Sequence, residues 1–370
     1  MVFLITAVAC FGASTTRAAT PDFPAGYEGY HTYEEMVAEV DRVAAAHPNI
    51  VRKFSIGRSY EGRELWAVKI SDNVLLDEDE PEVVFDSLIH AREHITVEMT
   101  LYTLHLLADN YGRRSRITAL VDTREVFLIF MLNPDGAEYD ISGGRFHHWR
   151  KNRQPIPDSE FVGVDMNRNF AFKWGCCGGS SGNPRRSTYR GPSAWFAPEV
   201  VAYRDFLRSR EVDGVQQVRI AVSWHSYGRL VMWAYGYTKT NIPSTMTRAD
   251  HRTYVALGRA AAALNGYTAQ QASDLYISDG SARDWSHHAL GVFHFTFEMG
   301  GADFYPSQDR IAALTSVNRG AVLYLLEMAD CPYRAAGLQA THCGSLATAP
   351  VTTEALPYEA PLFLKRPLTD

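Results

Sequence analysis

Four short apolar runs, far apart and separated by helix-like stretches, constrain this chain more than any other feature. Val83-Val84-Phe85 through Ile89, Val126–Leu132, Ile220–Trp224 and Phe293–Phe297 are rich in β-branched and aromatic residues. Runs of that length and composition suit strands buried on both faces of a sheet. Helical patterns lie around them. Thr32 can cap a first helix that stops at His47-Pro48. Thr96–Asn110 sets Val97, Leu101, Leu104 and Leu107 on one face, Arg248–Asn265 is Ala-rich, and Ile311–Met328 reads as one closing helix. Val51–Ile70 reads as two strand-like pieces around a turn at Tyr60-Glu61-Gly62. From Asn133-Pro134-Asp135-Gly136 to about Pro192 the chain is polar, Gly-rich and loop-like. Such alternation implies an α/β domain, with a mostly parallel or mixed sheet flanked by helices on both faces.

Composition narrows the partners and the compartment. Lys+Arg number 36 against 42 Asp+Glu, so the net charge is −6, which argues against nucleic acid as a partner. Residues 1–13 are apolar and uncharged, but Arg17 ends the run well short of the ~20 residues that span a bilayer. With the small residues Ala18 and Ala19 following, residues 1–20 read as a secretory signal, and no other stretch suggests a membrane span. The chain is therefore expected to be secreted. Once Cys10 leaves with the signal, Cys176, Cys177, Cys331 and Cys343 remain, an even set in Gly/Ser-rich or Pro-containing stretches, as suits disulfides. Adjacent cysteines lack the C-x-x-C spacing of a structural zinc site. The expectation is two disulfides joining the Cys176-Cys177 loop to Cys331 and Cys343, tying the tail 331–370 to the domain.

Chemistry-bearing residues cluster just past the apolar runs. His90-Ala91-Arg92-Glu93-His94 follows the first of them directly. An imidazole and a carboxylate three residues apart can close on one zinc if the backbone turns there. The same residues spell H-x-x-E-H, whose two histidines bind zinc from a single helix. That reading needs His90 inside a helix, whereas the helical pattern starts only near Thr96, so the strand-end reading is preferred. His225, at the end of Ile220–Trp224, then supplies a third ligand and leaves a fourth position open, as a catalytic site requires. Asp165-Met166-Asn167-Arg168-Asn169 and Trp149-Arg150-Lys151 bring an amide, a carboxylate and two guanidinium groups. Glu298 closes Phe293–Phe297, where partial desolvation raises a carboxyl pKa towards the range of a general base.

Taken together these motifs resemble the zinc metallocarboxypeptidases of the pancreatic carboxypeptidase A/B type, closest in pattern to secreted bacterial members. The resemblance runs in order over about residues 27–330. It rests on His90-Ala-Arg-Glu93, Asn133-Pro-Asp-Gly, Trp149-Arg150-Lys, Gly163-Val-Asp165-Met-Asn167-Arg168-Asn, His225-Ser-Tyr227, Tyr276 with Asp284-Trp285, and Phe295-Thr-Phe-Glu298. It implies a mixed eight-stranded twisted sheet between helices, with residues 21–330 as the catalytic domain of a protein expected to act as a monomer. The implied activity is hydrolysis of the C-terminal bond of peptides and proteins, with one zinc ion on His90, Glu93 and His225. By the same resemblance Asp165 orients the first zinc histidine. Arg150 polarises the scissile carbonyl and holds the oxyanion. Asn167 and Arg168 grip the terminal carboxylate, and Tyr276 closes over it. Arg92 and Tyr227 line the cleft towards earlier residues, and Glu298 takes the proton of the zinc-bound water and passes it to the departing amine. The residue seven after the capping tyrosine, Arg283, falls at the pocket floor and implies a preference for acidic C-terminal residues. Neutralisation by Asp279 or Asp284 would leave a mixed or apolar pocket instead. Two other readings share these residues: a peptidoglycan-type peptidase or amide hydrolase, and an inactive zinc-binding interaction protein. Asn167 with Arg168 favours C-terminal trimming over the first, and Glu298 with Arg150 favours catalysis over the second.

Overall fold

The computed structural model describes residues 22–343. The expected signal segment, with Cys10, and the tail beyond Cys343 lie outside the described residues. Ten strands are found there: β1 (Val51–Arg58), β2 (Glu64–Ile70), β3 (Glu82–Asp86), β4 (Glu125–Ile129), β5 (Glu211–Val212), β6 (Val215–Gln216), β7 (Val218–Ser226), β8 (Leu230–Trp233), β9 (Thr268–Gln271) and β10 (Phe293–Met299). β5 and β6 form a small ribbon. The other eight form one mixed sheet in the order β1-β2-β4-β3-β7-β10-β8-β9. β4, β3, β7 and β10 at its centre run parallel, with antiparallel partners β2 and β8 on either side. The turn at Tyr60-Glu61-Gly62 joins β1 to β2, and Gly62 takes the positive φ (+89°) that a side chain would disfavour.

Side chains alternate between two cores. Val83 and Phe85 of β3 face one with Ile220, Val222 and Trp224 of β7, while Val84 and Ala221 face the other. The first core is closed by the helices Tyr33–Ala46, Ile95–Ala108 and Arg319–Met328, the second by Pro198–Ser209. The crossover from β3 leads to β4 on one side, and the chain returns from β4 to β7 on the other. The carboxyl ends of β3 and β7 thus flank a topological switch point, where open α/β sheets leave a crevice. No described helix is long and apolar enough to cross a membrane.

Several elements depart from their sequence patterns. The helix after β3 begins at Ile95, and every residue of it except His105 is buried, so it has no solvent face for the expected stripe to oppose. The closing helix is two: Ile311–Ser316 and Arg319–Met328. Buried Asn318 divides them, its Nδ2 donating to Leu314 O (3.1 Å) and its Oδ1 accepting from Asn265 (3.0 Å). Asn133-Pro134-Asp135-Gly136 opens a helix, Pro134–Asp140, because the Asn133 side chain accepts from Gly136 N. Strands β8 and β9 and the helix Pro198–Ser209 have no counterpart in the sequence reading.

The cysteine pairing is a correction. Cys176 bonds to Cys177, with Cα atoms 3.7 Å apart, and Cys331 bonds to Cys343. The expected cross-pairing fails because the two regions dock at different places. Cys177 N is tied to Asp279 beside the cleft. Tyr333, two residues after Cys331, hydrogen-bonds Asp250 on the helix Arg248–Asn265 (2.6 Å).

Candidate metal centre and cleft

β7 runs on to Ser226, three residues past the row that pairs Asp86 with Ser223, so His225 stands above the β3 end beside Glu298 of β10. After Asp86 the chain leaves the sheet and turns, with Glu93 N bonding back to His90 O. That turn brings the two side chains towards His225. His90 Nδ1 lies 2.9 Å from Glu93 Oε1, His225 Nδ1 lies 3.0 Å from Glu93 Oε2, and the two Nδ1 atoms are 3.1 Å apart. All three residues are buried. Two imidazole nitrogens and a carboxylate converging on one point, out of water, form a donor set that suits zinc. Burial lowers the His225 pKa to about 4, despite the opposing pull of Glu93, so its ring is a neutral, ligand-competent imidazole at neutral pH. Two further acidic groupings, Asp72-Glu78-Glu80 and Asp77-Glu82-Glu125, lie away from the cleft. The second already holds the Arg210 guanidinium.

Asp165 Oδ1 lies 3.3 Å from Nε2 of His90, and Oδ2 accepts from Arg150 Nε at 2.9 Å. Burial alone would raise the Asp165 pKa, but Arg150, Arg168 and His90 outweigh it and hold the carboxyl far below its usual range. It is therefore a fixed anion able to orient the ring. Arg150 Nη1 sits 3.2 Å from His90 Nδ1, at the mouth of the donor set. Glu298 is pushed well above the usual carboxylate range, by burial first and by the Glu93 charge second.

A cleft of about 360 Å³ opens over this group, lined by Arg92, Asn167, Arg168, Tyr227, Tyr276 and Arg283 as well as Arg150 and Glu298. The Asn167 side chain is anchored by Ala282 N, which donates to its Oδ1 (3.0 Å). Arg168 donates from Nη1 to Asn167 O and from Nε to Gly179 O. Tyr276 and Tyr227 are exposed at the rim. The Arg92 guanidinium lies 3.9 Å over the ring of Phe304, a cleft residue for which the sequence carried no signal. Arg283 is buried, with Nε donating to Asp284 Oδ1 (3.1 Å) and Nη1 to Thr296 Oγ1 (2.9 Å). Its Nη2 lies 3.1 Å from the same Asp284 oxygen but makes no aligned hydrogen bond. Gly236 makes room for it, since a Cβ there would stand 2.5 Å from Nη2. Asp279, offered as another partner of Arg283, instead accepts from Cys177 N and Gly179 N.

His94 is not part of the cluster. Its Nε2 lies 3.0 Å from Asp140 Oδ2, and Phe23 packs edge-on against its ring. The helical H-x-x-E-H geometry is absent here because His90 lies in the turn and only the residues after His94 are helical.

Comparison with known proteins follows the same lines. The family described as zinc carboxypeptidase matches residues 36–319. The chain is 44% identical over 325 residues to a zinc carboxypeptidase of Saccharothrix mutabilis subsp. capreolus, covering 87% of this chain and 74% of that protein. It is 32% identical to carboxypeptidase A2 of Rattus norvegicus, covering 83% and 72%. Among solved structures, thrombin activatable fibrinolysis inhibitor superposes with a TM-score of 0.73 at 26% identity, over 81% of this chain and 74% of that one. Carboxypeptidase A from Helicoverpa armigera gives 0.72 at 25%, over 84% and 74%. With a matching sheet, a converging His-Glu-His donor set and relatives of this extent, the chain belongs to the zinc carboxypeptidase family and is a metallocarboxypeptidase.

Proposed function

We propose that this enzyme removes single residues from the C-termini of peptides and proteins, using His90, Glu93 and His225 to hold one zinc ion. The observation that carries the reading is that a buried carboxyl (Glu298), the Asn167-Arg168 pair and the donor set all line one cleft. Zinc bound there supplies a Lewis acid for the scissile carbonyl and lowers the pKa of a water. The chain's own groups do the rest. Arg168 and Asn167 hold the terminal carboxylate, which selects the last peptide bond. Arg150 stabilises the developing oxyanion, and Asp165 keeps both Arg150 and His90 in place. Glu298 accepts the proton of the attacking water and returns it to the leaving amine. Tyr276 closes over the bound end, and Arg92 and Tyr227 contact residues further from the terminus. The catalytic unit is residues 21–330, acting as a monomer, with residues 1–20 directing export.

Digesting peptides that vary at the C-terminus tests this directly. Single residues are released in turn, and a chelator stops the release. Arg168→Ala raises KM for free-carboxylate peptides roughly 10- to 100-fold, the size of losing a charged hydrogen-bond pair, and narrows their advantage over C-terminal amides. Internal cleavage, or equal action on amides by the wild type, would sink the reading.

We further propose a preference for acidic C-terminal residues. Support comes from the Arg283 Nη2 that no hydrogen bond occupies and from the hydroxyls of Ser278 and Thr296 along the same wall. Asp284 opposes it, but that carboxylate is also bound by Gly236 N and Tyr237 N, so its charge is shared. Peptides ending in Glu, Phe and Lys decide the matter. Arg283→Ile lowers the Glu-over-Phe ratio in kcat/KM by about tenfold. A wild type that prefers Phe, unaltered by the substitution, means that Asp284 fully neutralises the pocket.

A further inference from the structure

The Cys176-Cys177 loop is exposed, yet it reaches the substrate-binding wall through three hydrogen bonds. Cys177 N and Gly179 N both donate to Asp279 Oδ2 at 3.0 Å, and Gly179 O accepts from Arg168 Nε at 3.0 Å. Asp279 is fully buried and belongs to the 276–281 segment that carries Tyr276. The contact is close: a Cβ on Gly179 would stand 2.6 Å from Ser278 Cα, so only glycine lets the loop lie on that segment. Gly280 is pressed as tightly against Arg168 O, and Phe170 N donates to Gly280 O. The loop, the 276–281 segment and the Arg168–Phe170 stretch are thus laced together, the loop through the Arg168 side chain and the 276–281 segment through the Arg168 backbone. Left open, a Gly-Cys-Cys-Gly-Gly stretch is among the most costly to order, because glycine loses the most backbone freedom. A bond between the two neighbouring sulfurs closes a small ring in mid-loop and fixes the backbone between the two cysteines in advance. The two amides then point at one carboxylate oxygen, and the next carbonyl stays under Arg168.

We propose that the Cys176–Cys177 disulfide is a positioning element that preorganises Arg168 for the terminal carboxylate, so that opening it loosens substrate binding and spares the chemical step. The proposal rests on the carboxylate-binding role given to Arg168 above. The loop's hydrogen bonds run to Arg168 and Asp279, so the expected signature is a change in KM with little change in kcat.

The test compares the zinc-loaded enzyme with Cys176→Ser/Cys177→Ser, with Arg168→Ala and with the combination, on one free-carboxylate peptide. As a second route that needs no refolding, a trialkylphosphine opens the bond in the folded wild type. Phosphine and water give phosphine oxide and two thiols, and reoxidation reverses the change. Cys331 is buried and less open to attack. Opening the disulfide by either route raises KM about three- to tenfold, leaves kcat within about twofold, and is reversed on reoxidation. In the Arg168→Ala background it adds nothing, which a merely structural role would not produce. If Arg168→Ala raises KM and loss of the disulfide does not, or if the two effects simply add, the positioning role is overturned. If Arg168→Ala itself leaves KM unchanged, the carboxylate assignment falls and takes this proposal with it.

Discussion

Glu298→Gln lowers kcat by roughly 10²–10⁴, the usual loss of a general base, while the protein still binds zinc and peptide. The amide keeps the shape and the hydrogen-bonding reach of the carboxyl but cannot take a proton. Glu298 is paired in register with His225 on the neighbouring parallel strand, so its reach to the metal centre is set by the sheet and not by a mobile loop. No zinc-binding role is assigned to it, and the metal content is expected to stay at one per chain. Burial and the Glu93 charge both disfavour its ionised form. A bound divalent cation offsets the second of these and leaves burial as the main influence. Single-turnover rates with zinc analysis on the same sample are the measurement. Turnover near the wild-type level, with metal present, would refute the assignment.

The second large effect is the loss of the metal itself. His225→Ala removes one of the three proposed donors, and zinc affinity falls by more than the roughly 10- to 100-fold seen when only a supporting partner of a ligand is removed. Activity falls with it and is regained only in part by excess zinc. His94→Ala keeps stoichiometric zinc, because that ring is engaged with Asp140 and Phe23, away from the donor set. Its cost is in stability, through a buried Asp140 that loses a partner. Metal analysis after dialysis separates the two variants. Zinc lost from His94→Ala and retained by His225→Ala would restore the helical arrangement of the motif.

Where the information was local, the residues alone were enough. The apolar strands, the Ala-rich helix Arg248–Asn265 and the short His90–Glu93 spacing depend on contacts within a few residues or on simple periodicity. The meeting of His225 with His90 and Glu93 could be anticipated because a buried strand must end somewhere, and polar chemistry collects at those ends. Other features depended on which distant surfaces meet. In β10, Phe293, Phe295 and Phe297 face one core, while His294, Thr296 and Glu298 are buried on the opposite side. Period-2 alternation of that kind suits a half-exposed strand equally well. Thr296 is buried on the cleft wall, where it accepts from Arg283. The amphipathic stripe expected in the helix after β3 vanished because sheet and neighbouring helices enclose it on every side. The disulfides followed the same logic. Four cysteines state that bonds are available, but the pairing is decided by where each segment docks: one beside Asp279 at the cleft, the other on the helix Arg248–Asn265. Spacing and periodicity therefore determined the strands and the His90-Glu93-His225 grouping, and the motifs taken together carried the resemblance to the family. Packing between separate segments decided the cysteine pairing, the lacing around Arg168 and the meeting of Arg283 with Thr296 beside its neighbour Asp284, because those contacts exist only once the layers have closed on the sheet.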